Sequence, residues 1–248
     1  MTRLGVSLRD LEIVLRSLNP ADPLFIEGAL THLASAEILD APDCDAQINC
    51  FETALRRIAA AGIKLAWIHM ANSAAIMTRN QTWKNMVRPG IALYGYALPF
   101  SSKNGTPPAE PAQLELQPAL SWKTRILALR DVPAGQPVSY DATYTTPAPA
   151  RIAVLPVGYA DGFSRQLSSR GRVIVRGQFA PVVGKVTMDL TMVDVTALEK
   201  VAVGDEVTLI GSSGELKITA WDHAFIANTI PYEILCNISK RVPRKYVE

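Results

Sequence analysis

The sequence is poor in cysteine. Its three cysteines, Cys44, Cys50 and Cys236, stand at no metal-binding spacing and are too few for a disulfide framework in 248 residues. Free thiols in a reducing, cytoplasmic setting are the reading that remains. No run approaches 18 apolar residues, which argues against a membrane-spanning helix. The polar, helix-forming first residues predict no signal peptide. Basic runs are lacking and the formal net charge is only +2, so neither nucleic acid nor a membrane is an expected partner. Histidine is scarce too: His32, His69 and His223 have no third ligand close in sequence, and no metal is expected. What is present is a globular composition, 48% hydrophobic and 19% charged, with 17 prolines and 15 glycines spread along the chain.

The first part alternates between helix and strand patterns. "SLRDLEIVLRSLN" predicts a helix with Ser7 as N-cap and an apolar stripe through Leu8, Leu11, Val14, Leu15 and Leu18. "LFIEGALTHLAS" reads as a buried strand ending at Thr31–His32, and "DAQINCFETALRRIAAAG" as an amphipathic helix closed by Gly62. "IKLAWIHMANS" is a second strand ending at His69, "SAAIMTRNQTW" a helix capped by Ser73, and "MVRPGIALYGY" a third short strand. This order predicts parallel βα units. Residues 98–114, rich in Pro, Ser and Gly, read as a linker. Beyond it come short β-rich runs punctuated by Gly and Pro, with one late helix in "AWDHAFIANTIPYEILCNI". The expected fold is therefore α/β over residues 1–114, linker included, followed by an all-β domain over 115–248. A barrel of eight βα units needs at least ~200 residues. Three units before the linker imply either a small open sheet or most of a barrel lying upstream.

In an α/β barrel, catalytic groups sit at the carboxyl ends of the strands, and phosphates favour helix N-termini and loop amides there. Ser73, Gly90 and Arg88 fit a phosphate-cradling hydroxyl, a close-approach backbone and a fixed cation. They fit equally an N-cap, a turn glycine and a surface arginine. Tyr140, Tyr144 and Tyr159 lie in turn-rich surroundings. A tyrosine works as acid or base only if its pKa falls below ~10; otherwise it fills the edge of a β-domain. His32 and His69 end adjacent strands and share the mouth of the sheet in either case.

Eight segments then converge. "MTRLGV", "THLASAE", "HMANSAA", "MVRPGIALYGY", "VSYDATY", "LPVGYADG", "APVVGKVTMDLTMVDVT" and "TIPYEILCNISKRVPR" occur in this order. Together, from residue 1 to about 245, they resemble the later two-thirds of the pyridoxal-phosphate (PLP)-dependent alanine racemases. The resemblance implies the C-terminal portion of a PLP-binding TIM-type (β/α)8 barrel followed by a β-domain. It implies interconversion of L- and D-alanine, with D-alanine supplied to peptidoglycan. It also implies a head-to-tail homodimer whose active sites join one subunit's barrel to the other's β-domain. PLP is the electron sink in such enzymes, and a lysine and a tyrosine act as bases on opposite faces of the substrate. By the resemblance Tyr140 is the catalytic tyrosine, and Arg88 faces the pyridine nitrogen, to which an arginine gives up no proton. Ser73, Gly90, Ile91 and Tyr232 bind the phosphate, and His32 stands beside the cofactor and the tyrosine. Arg3 lies near the substrate carboxylate, Met188 is a substrate-binding backbone position, and Tyr159 lines the inner end of the entry channel.

There are departures from the family pattern. Asp141 stands where glycine is usual, placing a carboxylate next to Tyr140. Thr187 and Leu190 flank Met188–Asp189 where cysteine or serine, and glutamine, are common. None of the nine lysines has a context like "VKANAYGHG", in which the Schiff-base lysine lies. The expectation is a chain lacking that lysine and the first barrel strand, inactive alone, with Met1 matching an internal methionine of the complete protein. Two other readings are a racemase for serine or a broader set of amino acids, and a non-catalytic truncated product.

Overall fold

The computed structural model describes residues 1–18, 23–103 and 115–247. The chain divides into two compact units, Met1–Gln117 and Pro118–Glu248. Most of the expected linker, residues 104–114, lies outside the described residues.

The first unit carries helices α1 (Leu11–Ser17), α2 (Pro42–Ala60) and α3 (Ser73–Thr78) and strands β1 (Gly28–Leu30) and β2 (Trp67–His69). β1 and β2 pair in parallel, with Leu30 opposite His69. α2 begins three residues before its expected start because Pro42 takes the first turn, where a missing N–H costs nothing. Its Cys44, Ile48 and Phe51 pack with Leu33, Met70 and Ala75 into the unit's core. α1 is shorter than expected: Ser7 stabilises the turn before it, accepting from Asp10 N at 3.1 Å, and no residue of α1 is buried. The helix at 73 is capped by Asn72 rather than Ser73, the Asn72 side chain accepting from Ala75 N at 3.0 Å. The expected third strand is not one. Met86 makes a single parallel bridge to His69, and after Pro89–Gly90 the chain turns through a 3₁₀ helix, Ile91–Tyr94. Pro89 has no N–H to donate to a ladder.

The second unit is antiparallel β. Strands β3 (Trp122–Arg125), β4 (Ala128–Val132), β5 (Pro137–Val138), β6 (Tyr144–Thr145), β7 (Ala150–Leu155), β8 (Arg172–Val175), β9 (Gln178–Pro181), β10 (Thr191–Asp194), β11 (Glu206–Ser213) and β12 (Leu216–Ile218) follow one another. β10–β7–β4 form one sheet, β12–β11–β8–β9 with β3 on β11 a second, and β5–β6 a hairpin. β8 and β11 bury runs of successive residues, as strands covered on both faces do. The expected late helix is two: α4 (Ala220–Ala227) and α5 (Pro231–Asn237). Asn228 ends α4 in a left-handed conformation and Pro231 opens α5. The order expected from the sequence, α/β and then all-β, is the observed one.

Candidate functional site

In the first unit the site is built on the ends of β1 and β2. Thr31 N donates to His69 O, so the two strand ends stay in register where they give way to loops. The bridge from Met86 to His69 and the bond from Arg88 N to Ala71 O (3.0 Å) carry Arg88 across both ends. Its guanidinium donates to His69 Nδ1 at 2.6 Å, Thr31 O at 2.9 Å and Met70 O at 3.3 Å, with His32 Nδ1 at 3.5 Å. An imidazole accepts at Nδ1 only when that nitrogen carries no proton, which places the ring proton on Nε2. The electrostatics agree. Burial and then the Arg88 charge lower the pKa of His69, and the same two causes lower that of His32, with Arg3 adding to the effect. Burial lowers the pKa of Arg88 itself, and no carboxylate among the described residues pairs with it.

Ser73, the first residue of α3, is buried. Because Asn72 caps the helix, the Ser73 hydroxyl is available elsewhere and accepts from Ala92 N at 3.2 Å. A Cβ built on Gly90 would stand 3.8 Å from that oxygen. The N–H groups of Gly90 and Ile91 meet no acceptor among the described residues. Arg3 is exposed, and its charge reaches His32. So Arg88, His32, His69 and Arg3 form one electrostatic group, and Ser73, Gly90 and Ile91 a second, adjoining one. The sequence reading missed Gln47. Its amide donates to Thr31 Oγ1 (2.9 Å) and His32 O (2.8 Å) and accepts from Ala34 N (3.2 Å), fixing the loop after β1 to α2. A glutamine inside an amphipathic helix gives no sequence signal of that role.

In the second unit Tyr140, Tyr159 and Met188 are exposed. Tyr159 N donates to Thr187 O (3.0 Å) and Ala160 N to Met188 O (3.1 Å), so the turn bearing Tyr159 lies on the turn bearing Met188. Only glycine fits at 158, where a Cβ would stand 2.2 Å from Thr187 O and 2.3 Å from Met188 O. Arg241, also missed, ties the same turns together through Asp189 (2.6 Å) and Asp161 (3.4 Å). The Met188 N–H meets no acceptor among the described residues. The Thr187 hydroxyl donates to Leu190 O (2.8 Å) and accepts from Leu190 N (3.1 Å), which explains how the turn keeps its shape with threonine and leucine there. The Asp141 carboxylate pairs with Lys185, so the charge next to Tyr140 is compensated. Tyr232 stands half-buried in the first turn of α5.

Family sequence patterns match both units. The alanine racemase N-terminal domain matches residues 1–98 and the alanine racemase C-terminal domain matches residues 119–246. The chain belongs to the alanine racemase family. It is 44% identical over 246 residues to an alanine racemase of Halothermothrix orenii, covering 99% of this chain and 63% of that protein. A crystal structure of a Bacillus anthracis alanine racemase with bound L-Ala-P superposes with a TM-score of 0.88 at 36% identity, over 100% of this chain and 62% of that one. An alanine racemase of Bartonella henselae, solved with covalently bound pyridoxal phosphate, gives 0.79 at 32% identity, over 100% and 64%. The chain thus spans about 63% of the length of the racemases it matches. The racemase fold accounts for both units: later βα units of a TIM-type barrel, then the β-domain.

Proposed function

We propose that this chain carries the phosphate-binding and tyrosine-bearing part of a PLP-dependent alanine racemase that interconverts L- and D-alanine. The observation that carries the reading is Arg88. A half-buried cation, with neutral acceptors and no carboxylate partner among the described residues, is suited to face a heteroaromatic nitrogen that must stay unprotonated. The donor set fits the rest of the cofactor. Gly90 N–H and Ile91 N–H have no acceptor of their own among the described residues, and the Ser73 hydroxyl lies beside them; with Tyr232 they hold the phosphate. When bound, PLP supplies the electron sink that acidifies the substrate's α-C–H.

The chain's own groups do the rest. Arg88 stays charged and withholds its protons, which limits the sink and favours racemisation over other outcomes. Neutral His32 and His69 orient Arg88 by accepting from it. Arg3 and the Met188 N–H bind the substrate carboxylate. The Tyr140 phenol exchanges a proton at the substrate α-carbon on one face, and Tyr159 lines the way in. The base for the other face is the cofactor-bearing lysine. Of the first unit's three lysines, Lys64 is exposed, Lys84 pairs with Glu52 and Lys103 with Asp43 (3.0 Å), and none has the family's context. By itself the 248-residue polypeptide is therefore inactive. The working form is a cytoplasmic homodimer that supplies D-alanine to peptidoglycan. The three free cysteines support a reducing setting.

The test is a fusion. The lysine-bearing N-terminal segment of the H. orenii enzyme is joined ahead of Met1, and D-alanine formed from L-alanine is followed with a D-amino-acid oxidase. The fusion should racemise alanine, Tyr140→Phe should lower kcat at least ~100-fold, and the chain alone should be silent. A folded fusion that binds PLP but leaves alanine unchanged, or prefers serine, would overturn the assignment.

A further inference from the structure

Tyr140 stands in a strained turn. Three of the nine described non-glycine residues with positive φ fall around it: Ser139 (70°), Asp141 (59°) and Ala142 (48°). Left-handed backbone is unfavourable for residues that carry a side chain, and least so for Asp and Asn. Such a run persists only when its surroundings hold it. The Tyr140 side chain does not: it is 69% exposed, and its hydroxyl bonds to no described residue.

The holding groups are on Gly184 and Lys185. A Cβ on Gly184, itself at φ 69°, would stand 2.5 Å from Ser139 Cβ, so the two segments are in closest contact there. Lys185 grips the turn on both sides of Tyr140. Its carbonyl accepts from Ser139 Oγ at 2.9 Å, and its ammonium donates to the Asp141 carboxylate. The Lys185 side chain is only 23% exposed, whereas that of Asp141 is 70% exposed. The charges acting on Asp141 are Lys185 and, at longer range, Arg165; both favour its carboxylate.

We infer that Asp141 and Lys185 are positioning residues for Tyr140: their ion pair tethers the left-handed turn and so fixes the direction in which the phenol projects. The inference rests on the reading of Tyr140 as the acid–base group, but its test does not read activity.

Amide hydrogen exchange over residues 139–142 of the full chain is the measurement. Asp141→Asn keeps tolerance of the left-handed backbone and removes the charge. Lys185→Met keeps the stem and removes the ammonium, and Lys185→Arg keeps the cation. With each rate divided by the intrinsic rate of its own sequence, the first two are expected to exchange about threefold faster, the scale of an exposed ion pair, and Lys185→Arg at the parent rate. Raising the ionic strength to about 1 M, where the screening length is ~3 Å, should speed the parent and leave the two charge-removal variants unchanged. Parent-like exchange in Asp141→Asn or Lys185→Met would overturn the inference. So would a Lys185→Arg chain as fast as Lys185→Met, because packing and not charge would then hold the turn. Should a variant fail to fold, the salt response of the parent decides alone: no acceleration sinks the tether. An active fusion carrying Tyr140→Phe would remove the functional reading and leave this result standing.

Discussion

Arg88 keeps its charge although burial lowers its pKa and no described carboxylate compensates it. It also depresses both neighbouring histidines, second only to burial. Arg88→Gln should therefore raise the titration midpoints of His32 and His69 toward 6.5, read from their ring-proton NMR shifts; midpoints that stay put would mean the guanidinium is not seated between them. His223 behaves differently. It is buried, its Nε2 has no partner among the described groups, and burial pushes its pKa from 6.5 down to about 4 against the pull of Asp222 and the Leu209 backbone. The unfolded chain takes up this proton near 6.5 and the folded chain only near 4. Between those values the unfolded state binds more protons, so stability falls as pH falls. The loss amounts to about 3 kcal/mol by pH 4. Urea titrations across this range should show that slope, and His223→Leu should flatten it. Equal slopes in parent and variant would refute the burial of a neutral imidazole.

At the scale of elements, turns and not strands carry the candidate residues Tyr140, Tyr159 and Met188 of the second unit. Gly158 lets the turn that bears Tyr159 lie on the carbonyls of Thr187 and Met188. Gly158→Ala would drive a Cβ into backbone atoms with no flexible end to yield. It should destabilise the second unit by about 2 kcal/mol or more, seen as a lower urea midpoint; an unchanged midpoint would mean the two turns part easily. Such contacts are what the sequence did not disclose. The alternation of helices and strands, α2 and the β-rich second half were legible because they rest on periodicity and on Gly and Pro punctuation. The third strand was misread because Ile91, Ala92 and Leu93 are apolar enough for a strand. Pro89 and the left-handed Gly95 instead close the segment into a 3₁₀ turn. One late helix was expected where there are two, since only the left-handed Asn228 and the following Pro231 divide them. In the first unit His32 and His69 were legible as neighbours from their strand ends, and Arg88 only as a cation beside Gly90 and Ser73. Gln47, Arg241 and Lys185 were not, because each acts through partners distant in the chain.

Over the whole molecule, the two units are not equally self-sufficient. The second has ten paired strands among the described residues, and buried side chains such as Phe163, Leu155, Leu209 and Ile210, all under 2% exposed. In the first, β1 and β2 are three residues each and their side chains are at most half-buried, while Leu24, Phe25 and Leu30 are exposed. A two-stranded sheet is marginal without further cover, and the buried core of this unit comes from α2, α3 and the loops beside them, with only Ala29 and Ile68 of the strands packed against it. Regions with few buried apolar contacts open at lower free energy than the global core, and a protease cuts what opens. Dilute thermolysin should therefore consume residues 1–117 first and leave a resistant fragment starting near Pro118, identified by intact mass. The fusion carrying the H. orenii N-terminal segment should slow that early cleavage by at least about tenfold, as about 1.4 kcal/mol of added cover would. Loss of both halves at one rate in the parent chain would show instead that the α/β unit is as stable as the β-domain, and that its exposed strands cost it nothing.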